Sequence, residues 1–194
     1  VCKLVIDWKS TALREESMPR LFTGLEIPSD LAFELSMMRG GLSGARWIDA
    51  ENYHITLRFI GDIDHATARD IDASLGLVRR APCEIVIDGL SSFGGDKPRA
   101  LVARVQPSAA LVDLQAEQER LMRRLGLPPE PRKFAPHVTL ARLRSTGSME
   151  VADYLGMRGL FVSRRFIARR VVLFSARDSV GGGPYVAEAT YPLG

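Results

Sequence analysis

Apolar positions along the chain fall into short runs whose spacing switches repeatedly between the two-residue period of strands and the 3.6-residue period of helices. From Leu21 to Ile27 the alternation sets Leu21, Leu25 and Ile27 on one face, which predicts a half-buried strand. Pro28-Ser29 then opens a helix through about Met38, stopped by Gly40 and Gly41. Trp47-Ile48 leads into a second strand, Tyr53 to Ile60, followed by a Gly61-Asp62 turn and a helix from about His65 to Val78. Strands are expected over Glu84 to Asp88 and, after a Gly94-Gly95-Asp96 turn, over Arg99 to Gln106.

The order then starts again. Pro107-Ser108 follows the Arg99 to Gln106 strand and opens an amphipathic helix to Leu125, with Leu111, Leu114, Leu121 and Leu125 on its apolar side. A proline-rich loop then delivers a strand from Phe134 to Leu143. A short helix near Met149 to Leu155, a strand from Phe166 to Ala176, a Gly181-Gly182-Gly183 hairpin turn and a last strand from Tyr185 to Tyr191 complete the chain. The economical reading is a duplicated strand, helix, strand unit in an α+β fold of mostly antiparallel strands.

Composition narrows the class. With 194 residues, 46% of them hydrophobic and 25% charged, the chain has the make-up of one globular domain with a continuous core. No apolar run approaches the roughly 20 residues of a membrane helix, so a soluble protein is expected. Cys2 and Cys83 form no disulfide framework and lack metal-ligand spacing, which fits a reducing, cytoplasmic compartment. The first methionine is Met18, and residues 1 to 17 read as an extension outside a domain spanning 18 to 194. Of the 26 basic residues 22 are arginine, but they are scattered among 23 acids, so the net charge of +3 does not by itself assign a nucleic-acid partner.

Candidate chemistry lies in one small motif that occurs twice: His54-Ile55-Thr56-Leu57 and His137-Val138-Thr139-Leu140. The chain has only three histidines, and two of them carry the same pattern at corresponding places in two similar halves. Side chains i and i+2 of a strand share a face, so imidazole and hydroxyl project together while Ile55, Leu57, Val138 and Leu140 anchor the strands beneath. Two such strands side by side would suit a phosphoryl group, one imidazole removing a proton, the other as imidazolium supplying one, and the hydroxyls holding non-bridging oxygens. That chemistry needs neither metal nor cofactor when the substrate is a strained cyclic phosphodiester. His65, at a helix start, reads as a surface or capping residue.

Paired His-x-Thr-apolar motifs, the opening Met18-Pro19-Arg20-Leu21-Phe22-Thr23-Gly24-Leu25, the approach Arg46-Trp47-Ile48, and Phe134-Ala135-Pro136 before His137 resemble the bacterial RNA 2',3'-cyclic phosphodiesterases. These are also called 2'-5' RNA ligases and belong to the two-histidine phosphoesterase superfamily. The resemblance covers about residues 18 to 194. It implies a bilobed fold with a central cleft, and hydrolysis of RNA or nucleotide 2',3'-cyclic phosphate ends to 2'-phosphomonoesters, with reversible 2'-5' joining in vitro. It assigns His54 as proton donor to the 3' oxygen, His137 as the base for water, and Thr56 and Thr139 as phosphate ligands. Alternatives are a noncatalytic RNA-end or nucleotide-binding module and a two-histidine esterase acting on small cyclic nucleotides or 2'-5' linkages. A monomer is expected.

Alternation puts Arg58 in phase with His54 and Thr56, where it either pairs with a substrate phosphate or closes a salt bridge at the strand end. Arg142 is a further phosphate candidate although it lies out of phase with Thr139, and Ala141 occupies the position matching Arg58. Trp47, Tyr53, Phe134 and Tyr185 are the aromatic candidates for stacking on a terminal base, with core packing as the competing role. The Gly181-Gly182-Gly183 segment is either a flexible turn or a phosphate cradle. Gly41-Leu42-Ser43-Gly44-Ala45 fails as a serine nucleophile elbow because its fifth residue is alanine and no strand precedes it. Neither histidine sits in a zinc-type cluster, and the chain has no P-loop.

Overall fold

The computed structural model describes residues 20–158, 164–176 and 183–194. Residues 1 to 17, with Met18, Pro19, Gly181 and Gly182, lie outside the described residues. In chain order the elements are β1 (Arg20–Glu26), α1 (Ser29–Ser36), β2 (Ala45–Trp47), a 3-10 turn (Ala50–Asn52), β3 (His54–Asp62), α2 (His65–Leu75), β4 (Cys83–Phe93) and β5 (Ala100–Val105). There follow α3 (Ala109–Arg124), β6 (His137–Leu143), α4 (Ser148–Arg158), β7 (Arg164–Ala168), β8 (Arg170–Ser175) and β9 (Val186–Pro192).

Helix starts obey local capping chemistry. The Asp64 carboxylate accepts from Thr67 N at 2.8 Å ahead of α2, and the Ser108 hydroxyl accepts from Leu111 N at 3.3 Å ahead of α3. His65 is the first residue of α2 and is exposed.

The strands form one antiparallel sheet in the order β7-β4-β5-β6-β3-β1-β8-β9, with β2 added on β6. Two halves are visible in that order. β3 pairs with β1, and β6 with β5, each pair joined through its own helix, so the duplicated unit expected from the sequence is realised. The halves meet where β3 and β6 pair through Ile55↔Val138. Beneath that junction Ile55, Leu57, Val138 and Leu140 enter the same buried cluster as Leu31 and Leu35 of α1, Ile71 of α2 and Leu111 and Leu121 of α3. Each buried aliphatic side chain contributes about 2 kcal/mol, so the motif strands are held by their apolar undersides.

Three expectations change. The Phe166 to Ala176 strand is two strands separated by Arg169, β7 pairing with β4 at one edge and β8 with β1 near the other. A one-residue link spans at most about 7 Å, so the sheet must curl until these strands lie end to end. Gly61-Asp62 is not a turn: β3 continues through it, with Ile60 unpaired between Leu21↔Gly61 and Phe22↔Phe59 and Gly61 at φ 89°. Such a bulge wants a residue tolerant of positive φ, which is why glycine stands there. Finally, β6 and β3 begin at their histidines rather than at Phe134 and Tyr53.

Candidate active site

Both histidines are fixed by the same local device. At the first residue of its strand, His54 donates from Nδ1 to the carbonyl of Asn52 at 2.8 Å, and His137 donates from Nδ1 to the carbonyl of Ala135 at 2.7 Å. A carbonyl only accepts, so in the neutral ring each proton sits on Nδ1 and each Nε2 is left as a base. The His54 Nε2 accepts from the Thr56 hydroxyl at 3.1 Å.

The Ile55↔Val138 pair decides how the motifs face each other. In an antiparallel ladder, stepping one residue either way sets His54 opposite Thr139 and Thr56 opposite His137, all four on the face away from Ile55 and Val138. The two histidines are then diagonal neighbours, about 7–8 Å apart at their backbones, room enough for one tetrahedral group between the rings.

Their surroundings differ. His54 lies in an aromatic nest, with ring centroids at 4.8 Å from Phe22, 5.6 Å from Phe174 and 5.1 Å from Tyr185. Burial there pushes its pKa from 6.5 down to about 4, the bond to the Asn52 carbonyl opposes the fall, and His137 and Arg142 add to it by repulsion. His137 meets the edge of Phe93 at 4.8 Å. Burial again lowers its pKa, opposed by the Ala135 carbonyl and assisted by Arg142 and Arg132. In both rings the surroundings thus favour the neutral form.

The two arginines lie on the faces opposite to those that simple alternation gives, and a pair of bulges is the cause. Opposite β1, Thr56 pairs with Gly24 and Arg58 with Thr23, which leaves Leu57 as an extra residue. Opposite β5, Thr139 pairs with Val102 and Ala141 with Leu101, which leaves Leu140 as an extra residue. Each bulge comes at the fourth motif position and reverses the alternation beyond it. Arg58 is thereby turned away from the histidines into the helix layer, 5% exposed, with Nε 2.5 Å from Glu119 Oε2 of α3 and a donated bond to the Pro128 carbonyl. The same reversal brings Arg142 onto the exposed side, where its charge acts on both histidines.

Of the four stacking candidates, only Tyr185 packs beside a motif histidine. Trp47 packs 6.2 Å from Tyr154, Phe134 lies against the core cluster, and Tyr53 is buried in that cluster while lining a cavity of about 340 Å³ together with His54, Phe174 and Tyr185. Phe22, Phe174, Phe93 and Asn52 were not anticipated. Phe22 was legible, because alternation places it opposite Leu21 and Leu25 on the face shared with Gly24. Asn52 was not: its side chain accepts from Tyr185 N at 2.9 Å, 133 residues away in sequence, while its carbonyl orients His54. Among the described residues no three His, Cys, Asp or Glu side chains converge as a metal cluster would require, and no helix is long and apolar enough to cross a membrane.

A duplicated α+β unit that presents one histidine and one threonine per copy on a shared face defines the class of two-histidine phosphoesterases. The chain belongs to the LigT-like phosphoesterase family, whose model matches it twice, over residues 25–103 and 102–185, so that each match holds one motif. Curated relatives named RNA 2',3'-cyclic phosphodiesterase include one from Aeropyrum pernix, 36% identical over 104 residues covering 53% of this chain and 59% of the relative. Another, from Geobacillus stearothermophilus, is 30% identical over 128 residues covering 62% of this chain and 41% of the relative. The chain thus spans about half the length of these relatives. Among solved structures, TT0787 of Thermus thermophilus superposes with a TM-score of 0.75 at 21% identity, covering 90% of this chain and 97% of that one. Escherichia coli LigT complexed with 3'-AMP gives 0.70 at 18% identity, covering 90% and 98%.

Proposed function

We propose that the chain hydrolyses 2',3'-cyclic phosphate ends of RNA or nucleotides to 2'-phosphomonoesters by acid and base catalysis between His54 and His137. The observation that carries this reading is the Ile55↔Val138 register, which faces two histidine and threonine pairs across one gap. The names of the relatives and the 3'-AMP held by LigT support the substrate class.

In this mechanism His137 Nε2 takes a proton from water as the water oxygen bonds to phosphorus. The P–O3' bond breaks, and the departing 3' oxygen takes a proton from His54 Nε2, which leaves a 2'-phosphate. The Thr56 and Thr139 hydroxyls and the Arg142 guanidinium hold the non-bridging oxygens. Since the surroundings of both rings favour the neutral form, the acid gains its proton together with the substrate, whose negative charge raises the imidazole pKa. With the 5' hydroxyl of a second strand in place of water, the same pair lets that oxygen bond to phosphorus as the P–O3' bond breaks and the 3' oxygen takes the proton, which leaves a 2'-5' phosphodiester, and this ligation reverses through the same two imidazoles. The cavity of about 340 Å³ beside His54 is of nucleoside size and takes the terminal base against Tyr185. The continuous sheet supports treating residues 18 to 194 as one bilobed unit.

The test is incubation with a nucleoside 2',3'-cyclic phosphate in EDTA, with products resolved by phosphorus NMR. The expected product is the 2'-phosphate, and His54→Ala and His137→Ala each lower kcat at least 1,000-fold, roughly the scale of general acid–base catalysis. Retained turnover in both variants, or a 3'-phosphate product, would refute the mechanism.

A further inference from the structure

Beyond Arg142 the molecule holds a second pocket of about 510 Å³, and its lining is almost wholly cationic: Arg46, Lys97, Arg99, Arg142 and Arg144, with Pro98 and Leu143. Among the described residues no carboxylate lines it. Several arginines elsewhere on the surface are matched to acids, among them Arg20 with Asp62, Arg39 with Asp49, Arg80 with Glu117 and Arg164 with Glu34. Among the described residues, Lys97, Arg99, Arg142 and Arg144 have no carboxylate within ion-pair distance.

The sheet register concentrates this charge. Arg46 of β2 stands directly opposite Arg142 of β6, and Arg99 adjoins Ala100, the β5 partner of Arg142. The pocket also shares a strand with the second motif, since Arg142 and Leu143, which line it, lie on β6 with His137. From His137 through the end of β6 to Arg144, one residue beyond it, the chain runs on the order of 20 Å. That length exceeds one nucleotide, so the charge extends past the reacting phosphate.

We propose that this pocket is a subsite for the internucleotide phosphates of an RNA strand, which makes an RNA end rather than a free nucleotide the preferred substrate. The inference rests on the proposed phosphodiesterase reading for its location, but its binding half can be tested without turnover. Single strands release about 0.7 counterion per phosphate contact, so each lost contact flattens the salt dependence of binding by roughly that much.

The experiment compares wild type with the triple variant Lys97→Ala, Arg99→Ala, Arg144→Ala, all three positions being exposed. Substrates are cytidine 2',3'-cyclic phosphate and a ten-nucleotide RNA ending in a 2',3'-cyclic phosphate. The expected result is a tenfold or greater loss of kcat/KM on the oligonucleotide, carried by KM, with less than a twofold change on the mononucleotide. Equal losses on both substrates, or no loss on either, would overturn the proposal. Should wild type hydrolyse neither, the catalytic reading fails alone, and fluorescence anisotropy with a labelled RNA ending in a 3'-phosphate still decides the subsite. There the expected result is at least tenfold weaker binding by the triple variant, with a salt slope shallower by about two. An unchanged Kd would overturn it. So would affinity that does not rise when the RNA is lengthened from two to ten nucleotides while tripolyphosphate competes at low concentration, since the pocket would then take a free polyphosphate.

Discussion

Replacing in turn the two arginines that follow the motifs separates a structural ion pair, Arg58 with Glu119, from the proposed phosphate contact of Arg142. In Arg58→Ala the Glu119 carboxylate, with a side chain 21% exposed, loses the guanidinium 2.5 Å away. Leaving such a charge without its partner costs about 3 kcal/mol, and the lost bond to the Pro128 carbonyl adds up to about 1 kcal/mol. In a chain of 194 residues that sum lowers Tm by roughly 10 °C. The protein that remains folded at 25 °C keeps kcat within threefold, because the side chain lies in the helix layer and not on the catalytic face. Arg142→Ala behaves in the opposite way. It is exposed and has no ion-pair partner among the described residues, so Tm moves by less than 2 °C. A charge-assisted bond to phosphate is worth about 1.5–3 kcal/mol, and kcat/KM falls 10- to 100-fold. Circular dichroism melts and initial rates on a cyclic mononucleotide measure both halves. The double variant Arg58→Met, Glu119→Leu recovers most of the lost stability, as expected when a buried pair is replaced by apolar groups. If Arg58→Ala melts like wild type while its kcat collapses, the bulge argument is wrong.

Three further outcomes follow from the geometry. Because the surroundings of both histidines hold them below 6.5, kcat/KM should peak below pH 6.5 and fall above it; a maximum above pH 7 contradicts the electrostatics. Folding stability should fall as pH drops from 6.5 to about 4, where the unfolded chain takes up a proton that folded His54 refuses. That depression is worth about 3 kcal/mol, so His54→Gln should lose correspondingly less between pH 7 and 4 in urea titrations, and parallel curves would exclude it. In Gly24→Ala a methyl would sit 2.8 Å from the Ile55 carbonyl and 3.6 Å from the His54 ring, so kcat should drop at least tenfold with Tm lowered by several degrees; wild-type rates would show that the motif strand gives way freely.

Much of this protein could be read from its residues in order. Alternation and the proline-serine starts located the elements of both halves, and the repeated His-x-Thr pattern named the four side chains that share a face, since i and i+2 coincide in any strand. Those features are local, fixed by backbone geometry within a few residues. Tertiary structure alone decided what depends on a partner strand. The bulges at Leu57 and Leu140 exist only against β1 and β5, and they sent Arg58 to Glu119 and Arg142 to the histidines. The break at Arg169 required two distant sheet edges to meet, and the nest around His54 drew on Phe22, Phe174 and Tyr185 from three separate segments. One unpaired residue reverses every side chain after it, and its position is set by a register that no single segment contains.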